Sequence, residues 1–354
     1  MSSRTEQLME FLGKSEKAFG KGKVTVASKA KSIKMSRFSS GVFKLDEILG
    51  GGWPWGRMVM IHGPDRSGKS TLAQQACAQI QKLDSGTRQE GDSEEKCRAL
   101  YVDMESVLDE KWAIAQGMNL DHHILARPES GEEAIDLVCA ALLQVEDQDP
   151  LFDLIVLDSL AACTPSKELE GEAGQSHPGL QARLLNQAFR KWQPALTRLG
   201  PKAPTLLLIN QQREKIGIMF GDPTTLPGGV AQLYYPSIRL RLSPVKMKDG
   251  DDKLTALATL KARTVKNKTY TQDIEAVFDL CVRDSEPYLK GQFLNAEDLF
   301  KSAKKFGICD RTWDTKSSHG EIKVSKGADM IEILRKTPEL YALLRDQTLE
   351  EALS

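Results

Sequence analysis

The stretch HGPDRSGKSTL at residues 62–72 limits the possible folds of this chain more than any other feature. It has the pattern of a glycine, four variable residues and then Gly-Lys-Ser, and it lies between an apolar stretch at 57–63 and a helix-forming stretch at 70–83. In such a loop the backbone N–H groups converge on phosphate oxygens, and the next helix adds the positive end of its dipole. The sequence therefore predicts a strand, a phosphate-binding loop and a helix, in that order.

The rest of the first two thirds of the chain alternates in the same way. Strands that alternate with helices form a mostly parallel sheet with helices on both of its faces. After Tyr235 the apolar residues recur at every second position in three stretches, which predicts antiparallel strands at the edge of the same sheet. The fold class is therefore α/β. Further strands are predicted at 99–105, 152–159 and 204–211, and helices around Trp112, at 131–144 and at roughly 178–199.

The chain divides into three predicted parts, at 1–40, 41–283 and 284–354. The first part carries Leu8 and Phe11 at helical spacing on a polar segment, and a short helix cannot bury such a stripe alone. Packing on its own core and packing on a neighbouring subunit both satisfy this pattern. The last part is polar and rich in lysine, which predicts a small domain with a basic face.

Composition excludes several classes of protein. The formal net charge of the 354 residues is −1, so a nucleic-acid site would have to be a local basic patch. The six cysteines include no C-x-x-C pair, which argues against a zinc site and indicates reduced thiols. No apolar run reaches the roughly 18 residues of a membrane span, and the N-terminus has no signal-peptide pattern. These features predict a cytoplasmic protein.

The phosphate loop predicts ATP and Mg²⁺ as cofactors. The ammonium of Lys69 would reach the β- and γ-phosphates, and the hydroxyl of Ser70 would hold Mg²⁺. The full set of predicted phosphate-contacting residues is Gly63, Pro64, Asp65, Arg66, Ser67, Gly68, Lys69, Ser70 and Thr71.

Carboxylates that follow the next strands complete the predicted site. Asp158 ends the stretch FDLIVLDS and would join Ser70 in holding Mg²⁺, although a strand-end aspartate is often structural. Glu105 ends the stretch ALYVDME and would activate the attacking water, or else cap the chain locally. Asp109 and Trp112 would flank the adenine by hydrogen bonding and stacking. Trp112 is equally suited to a place in the core.

Seven segments, taken together, carry a family resemblance. They are GPDRSGKS, YVDMES, LIVLDS, TPSKELEGEAGQSH, LINQQREKIGIMFGDP, PGG and VKNK, in this order. The chain closely resembles the bacterial RecA recombinase family from about Phe11 to its end, most weakly after Asp284. The resemblance implies a RecA-like ATPase core, an N-terminal helix that packs on the next protomer and a small α+β C-terminal domain. It also implies a helical filament on single-stranded DNA.

The resemblance assigns catalytic roles that the pattern alone leaves open. It implies that ATP lies between protomers and that Lys266 and Lys268 of VKNK reach the neighbour's γ-phosphate, where a lysine-rich strand would otherwise be a solvated edge. Their charge would act as an arginine finger does. Gln211 would link the γ-phosphate to DNA, where a strand-end glutamine is often only a cap.

Two segments, at 168–178 and 212–225, resemble the family's DNA-binding loops. Both contain glycine and lack their own periodicity, as mobile binding loops do. Binding through phosphates would be nearly independent of base sequence, with recognition left to base pairing between strands. The predicted DNA contacts are the charges of Arg183, Arg190 and Arg213, the apolar side chains of Ile216 and Met219 between bases, and the backbone amides of Gly228 and Gly229.

The sequence as a whole predicts an ATP-dependent recombinase of DNA repair and the SOS response, with single-stranded and double-stranded DNA as partners. Pro178, Leu233 and Tyr234 depart from the usual family text, which suits a divergent paralogue or a phage-borne member. Two rival functions stay open. One is a RecA-like motor or switch ATPase that forms a closed ring, and the other is an accessory protein that binds DNA without exchanging strands.

Overall fold

The computed structural model describes residues 3–20, 24, 26, 35–84, 95–106, 108–143, 150–171, 179–214, 224–245 and 256–354. Within it the chain forms two compact units, Met1–Met35 and Ser36–Ser354.

The first unit contains one described helix, α1 (Arg4–Phe19). Its start is fixed by a capping box, in which the Ser3 side chain accepts from the backbone of Glu6 and the Glu6 carboxylate accepts from the backbone of Ser3. Leu8 and Phe11 are about half exposed. The predicted N-terminal helix is thus confirmed, and within the chain these apolar side chains keep much of their surface in water.

The second unit is built on one large sheet. The described strands are β1 (Arg37–Phe38), β2 (Trp53–Pro54), β3 (Met58–Gly63), β4 (Ala99–Asp103), β5 (His123–Ala126), β6 (Leu154–Asp158), β7 (Thr205–Gln211), β8 (Arg213–Glu214), β9 (Thr224–Thr225), β10 (Ile238–Pro244), β11 (Leu257–Asn267), β12 (Glu275–Cys281), β13 (Thr312–Asp314) and β14 (Glu321–Lys323). Eight of these described strands join in the order β12-β11-β10-β3-β7-β6-β4-β5.

The direction of these strands confirms the α/β prediction. From β10 to β5 each neighbouring pair is parallel, and β11 and β12 extend the edge as antiparallel strands. The short strand β5 was not predicted. Because the parallel strands β3, β4, β6 and β7 end at the same edge, the residues that follow them come together there.

Helices cover both faces of the sheet. The remaining helices are α2 (Phe43–Leu49), α3 (Lys69–Ile80), α4 (Glu110–Ala115), α5 (Gly131–Leu143), α6 (Ser166–Glu170), α7 (Leu180–Leu199), α8 (Ala231–Tyr234), α9 (Asn295–Lys305), α10 (Gly327–Lys336) and α11 (Pro338–Leu353).

Successive side chains of β3 point to opposite faces of the sheet, and each face has its own hydrophobic core. Val59 and Ile61 pack in one hydrophobic cluster with α3, whereas Met58 and Met60 pack in the other with α5 and α7. A strand buried on both faces needs apolar residues at every position, which explains the unbroken run MVMI.

The C-terminal helices have a hydrophobic cluster of their own. Trp313 is buried between residues of α9, α10 and α11, with Leu299, Met330 and Leu344 among them, and Phe43 of α2 joins the cluster. The predicted domain boundaries at 40 and 283 stay a prediction. All six cysteines are buried and unpaired. Among the described residues, no helix is both long and apolar enough to span a bilayer.

Candidate functional site

The phosphate loop joins β3 to α3, and its glycines are required by close contacts. A Cβ atom on Gly63 would lie 2.2 Å from the carbonyl oxygen of Leu242 on β10. Gly68 has φ +82°, a left-handed conformation, and caps the N-terminus of α3. The loop therefore turns directly from the sheet into the helix N-terminus, as phosphate binding requires.

Lys69 lies inside this loop. Its side chain is 7% exposed in relative terms, and Nζ donates a hydrogen bond of 2.7 Å to the Pro64 carbonyl oxygen. Burial lowers the pKa of Lys69, and the charges of Asp158, Asp65 and Glu105 oppose that change. The lysine is thus held by a neutral carbonyl close to carboxylates. Its ammonium has three N–H donors, so this hydrogen bond does not use all of them.

Asp158 ends β6 beside the loop. Its carboxylate accepts a hydrogen bond of 2.7 Å from the hydroxyl of Tyr101 on β4, and the Ser70 hydroxyl lies near it. Burial raises the pKa of Asp158 to about 6, and the nearby charges of Glu105 and Asp103 act in the same direction, whereas the hydroxyls of Ser70 and Tyr101 lower it. A hydroxyl and a carboxylate held together in this way are the oxygen ligands that Mg²⁺ takes in proteins.

Glu105 lies two residues beyond the end of β4, so the predicted strand 99–105 is shorter than expected and Glu105 is free of the sheet. Its Oε1 accepts hydrogen bonds from the Ser159 hydroxyl at 2.6 Å and from the Gln211 side-chain amide at 2.9 Å. The structure therefore brings together the candidate base, the residue after Asp158 and the last residue of β7.

A buried amide network continues from β7 towards the predicted DNA-binding glycines. Asn210 donates to the Pro227 carbonyl at 3.1 Å and to the side chain of Gln232. Gln232 in turn donates to Pro227 at 2.7 Å and to Gly229 at 2.8 Å. Gly228 and Gly229 both have positive φ, so this network fixes a turn that glycine alone adopts easily.

Asp109 and Trp112 lie at the start of α4. Asp109 is the N-cap, and its Oδ1 accepts from the backbone N–H of Trp112 at 3.1 Å. Trp112 is half-buried and packs against the main core cluster. Lys290 lies over the indole, with Nζ 5.0 Å from the ring centroid. Trp112 thus partly meets the core alternative, and its stacking on adenine stays a prediction.

Lys266 lies at the end of β11, and Lys268 is the first residue after the strand. Lys266 Nζ donates to the carbonyl oxygens of Tyr234 at 2.7 Å and Leu233 at 3.1 Å, at the end of α8. Burial lowers the pKa of Lys266 to about 8, and the charges of Lys268 and Arg239 add to this effect. None of the described contacts of Lys266 joins it to Lys69, Glu105 or Asp158, and a role of the two lysines towards a neighbouring protomer stays a prediction.

The predicted DNA contacts are only partly described. Arg183 and Arg190 are exposed on α7, seven residues apart and so on one face of the helix. Arg213 is exposed on β8, which pairs with β9. Ile216 and Met219 lie outside the described residues, as do residues 172–178 of the first predicted loop.

Comparison with known proteins gives the family. The profile of the RecA N-terminal domain matches residues 6–284. The chain belongs to the RecA family. It is 41% identical to Protein RecA of Brevibacillus brevis over 270 residues, which cover 76% of this chain and 70% of that protein. It is 36% identical to Protein RecA of Clostridioides difficile over 324 residues, or 91% and 87% of the two chains. It is 34% identical to Protein RecA of Thermosynechococcus vestitus over 350 residues, or 98% and 90%.

Membership of the RecA family confirms the predicted activity. The protein is an ATP-dependent DNA recombinase of repair and homologous pairing, and its ATP hydrolysis depends on DNA. The family also implies ATP binding, DNA binding and filament formation. The roles of individual residues stay predictions.

Sequence reasoning missed four polar residues of this RecA-family site. Tyr101, Ser159, Asn210 and Gln232 are each buried and hydrogen-bonded to a predicted site residue or turn. One signal was available: a tyrosine inside a strand buried on both faces needs a partner for its hydroxyl. The pairing of Asn210 with Gln232 gave no such signal, because it depends on tertiary contact.

Proposed function

We propose that this RecA-family protein forms an ATP- and Mg²⁺-dependent helical filament on single-stranded DNA, pairs it with homologous duplex and is released by ATP hydrolysis. The observation that carries this proposal is the hydrogen bond between Gln211 and Glu105. Gln211 ends β7, and the chain from Gln212 onwards is the second predicted DNA-binding segment. One side chain therefore connects the candidate catalytic carboxylate to the segment that would meet DNA.

The nucleotide would be held by the phosphate loop. Lys69 would exchange the Pro64 carbonyl for phosphate oxygens, and the N-terminus of α3 would add backbone donors. Ser70 and Asp158 would hold Mg²⁺, which would neutralise phosphate charge and orient the γ-phosphate. Because Asp158 has to be ionised to bind a cation, its raised pKa is a cost that the bound metal offsets.

Glu105 would orient and deprotonate the attacking water. Its Oε1 accepts hydrogen bonds from Ser159 and Gln211, and both donors hold the carboxylate in place. If DNA binding moves the segment after Gln211, the amide changes its contact with Glu105. Each ligand would then favour the same ordered state of the other site.

Lys266 and Lys268 would act on the nucleotide of a neighbouring protomer. In a single chain Lys266 is satisfied by two carbonyl oxygens at the end of α8, and it would exchange these for the γ-phosphate across the interface. Cationic charge supplied by a partner makes hydrolysis wait for assembly.

Phosphate contacts would dominate DNA binding. Arg183 and Arg190 share a helix face, Arg213 follows β7 closely, and the turn at Gly228 and Gly229 offers backbone N–H groups. Ile216 and Met219 are proposed to enter between bases. The lysine-rich C-terminal region is proposed to capture double-stranded DNA, and the cytoplasmic location stays a prediction.

Electron microscopy of the protein with single-stranded DNA, MgCl₂ and a slowly hydrolysed ATP analogue tests this proposal. Open helical filaments that need both DNA and nucleotide are expected. Closed rings would support the motor ATPase, and the absence of any assembly would support the accessory protein. Either result would contradict the proposal.

A further inference from the structure

A polar cavity of about 460 Å³, called here the α3–α11 cavity, lies between α3 of the core and α11 of the C-terminal helices. The end of α4, the segment before α2 and the chain before α9 complete its walls. Its volume suits a small organic molecule. Asp109, Trp112 and the phosphate loop do not line it, so the cavity is distinct from the proposed nucleotide site.

The α3–α11 cavity contains a cation that lacks a counter-charge. Lys82, two residues after α3, is partly buried and lines the cavity. Burial lowers the pKa of Lys82, and no carboxylate within the described part of the chain opposes that change. No aspartate or glutamate is among the described residues that line the cavity. Because a buried charge is costly unless it is paired, Lys82 favours an anion in this space.

Arg345 of α11 adds a second donor to the wall of the cavity. Its Nη2 donates to Oδ2 of the fully buried Asp46 at 2.8 Å, and Nη1 donates to Asp346 at 2.9 Å. Its Nε is buried and has no hydrogen-bond partner among the described residues. The ion pair with Asp46 therefore fixes the guanidinium and leaves one N–H donor over.

Two buried amides on the other side of the cavity also have spare hydrogen-bonding capacity. Gln116 donates to the carbonyl oxygens of Thr71 at 3.1 Å and Gly291 at 3.3 Å, but its Oε1 is buried and has no partner in the described part of the chain. Gln75 of α3 is 6% exposed, and its side chain forms no hydrogen bond within the described residues. Amides both donate and accept, as hydroxyl groups do, so they are suitable partners for hydroxyls.

We propose that the α3–α11 cavity binds a small organic anion that carries hydroxyl groups. Lys82 and Arg345 hold its charge, and Gln75 and Gln116 bond its hydroxyls. Sugar phosphates and sugar acids share this chemistry. The site goes beyond the proposed function and does not depend on it, because none of these four residues belongs to the phosphate loop or to a predicted DNA-binding segment.

Equilibrium dialysis of the full chain without DNA tests the site, with glucose 6-phosphate and gluconate as the two probes. Excess ADP and MgCl₂ are present, so that the phosphate of the probe does not compete for the phosphate loop. Saturable binding of one probe molecule per chain is expected for at least one probe, and the tighter probe shows whether the anionic group is a phosphate or a carboxylate.

Lys82→Met keeps the length of the side chain and removes its charge. We expect the dissociation constant of the bound probe to rise at least about tenfold, because a charge-assisted hydrogen bond is lost. Lys305→Met is the matched control, since Lys305 is exposed on α9 and does not line the cavity. Its affinity for the probe should equal that of wild type.

Gln75→Leu separates a ligand site from a structural role. The variant loses no described hydrogen bond, so its free energy of unfolding in urea should be no lower than that of wild type. Its dissociation constant for the probe should nevertheless rise by at least about threefold. A Gln75→Leu protein that folds and binds the probe as wild type does would overturn the role of this amide.

Glucose and inorganic phosphate test the two parts of the chemistry in the wild-type protein. Glucose that binds as tightly as glucose 6-phosphate would overturn the anion site, and inorganic phosphate that binds as tightly would overturn the role of the hydroxyls. If neither glucose 6-phosphate nor gluconate binds, or if Lys82→Met binds them as wild type does, the inference is wrong.

Discussion

The side-chain amide of Gln211 donates a 2.9 Å hydrogen bond to Oε1 of Glu105, although 106 residues separate them in the chain. The contact exists because β4 and β7 are parallel strands on either side of β6, so their ends meet at one edge. Ser159, which follows β6, donates to the same oxygen. The candidate base follows β4 and is thus held by two residues, one that follows β6 and one that ends β7.

Removal of the Gln211 amide should uncouple DNA from hydrolysis. We expect Gln211→Ala to keep its affinity for ATP but to lose DNA stimulation of hydrolysis by about tenfold or more, because the link to Glu105 is gone. Steady-state hydrolysis with and without DNA measures this. Gln79→Ala is the control, because Gln79 is partly exposed in the last turn of α3 and lies in neither predicted DNA-binding segment. Undiminished stimulation in Gln211→Ala would refute the coupling.

The interface lysines should matter for turnover and not for nucleotide binding. Lys266→Ala combined with Lys268→Ala should lower DNA-stimulated hydrolysis about a hundredfold, because charge on the γ-phosphate is lost. Equilibrium binding of ADP should stay at the wild-type value. Lys304→Ala, an exposed change on α9, should retain full activity. A double variant with unchanged turnover would remove the role of these lysines across the interface.

His62 should make stability depend on pH. Burial, with the charges of Arg239, Arg241 and Lys69, lowers the pKa of His62 to about 3. The folded state therefore keeps a neutral imidazole, whereas the unfolded chain takes up a proton below about 6.5. The stability that depends on this group is fully present above pH 6.5 and is lost as the pH falls towards 3.

Urea unfolding at several pH values measures this effect. Below pH 6.5 the free energy of unfolding of wild type should fall with pH by up to about 1.4 kcal/mol per pH unit because of His62, and His62→Gln should remove this contribution. His319→Gln, at an exposed position after β13, is the control and should show the same dependence of stability on pH as wild type. If His62→Gln and wild type lose stability in parallel, His62 is not held neutral by the fold.

Gln232 should be needed for the turn at Gly228 and Gly229. Gln232→Leu removes donors to the carbonyl oxygens of Pro227 and Gly229, and we expect the free energy of unfolding to fall by about 2 kcal/mol. The affinity for single-stranded DNA should fall as well, because the backbone N–H groups of the turn lose their orientation. Gln193→Leu, partly exposed on α7, should change neither quantity. If Gln232→Leu folds and keeps the wild-type affinity for DNA, the turn is not needed for DNA binding.

Arg190 should contact phosphate. We expect Arg190→Ala to reduce the slope of log affinity against log salt by about 0.7 for single-stranded DNA, the value of one phosphate contact. Arg198→Ala, eight residues further along α7 and also exposed, should leave the slope unchanged. Equal slopes for Arg190→Ala and wild type would mean that this arginine does not meet the DNA backbone.

Local patterns were sufficient to predict the elements that carry the site. Strands lie where apolar runs precede the phosphate loop, Asp158 and Gln211, and α3 lies where a helix was predicted after the loop. These elements could be predicted because composition and periodicity are properties of short stretches of sequence. The strand β5 was missed because it has only four residues, none of them fully buried, and so shows no alternation of buried and exposed positions.

Contacts between distant segments could not be predicted in the same way. Nothing near Lys290 in the chain indicates Trp112, and nothing near Lys266 indicates the carbonyl oxygens of α8. Glu105 and Gln211 were each named from the end of a strand, but their hydrogen bond follows from the order of strands in the sheet. Periodicity in the sequence predicts the strands, but the order in which they pair is known only from the folded chain.

The central claim is that DNA and ATP are coupled through the residues that follow these strands. The most direct test is the rate of ATP hydrolysis with and without homopolymeric single-stranded DNA at matched salt. We predict stimulation of at least about tenfold by DNA. Equal rates in the presence and absence of DNA would contradict the account.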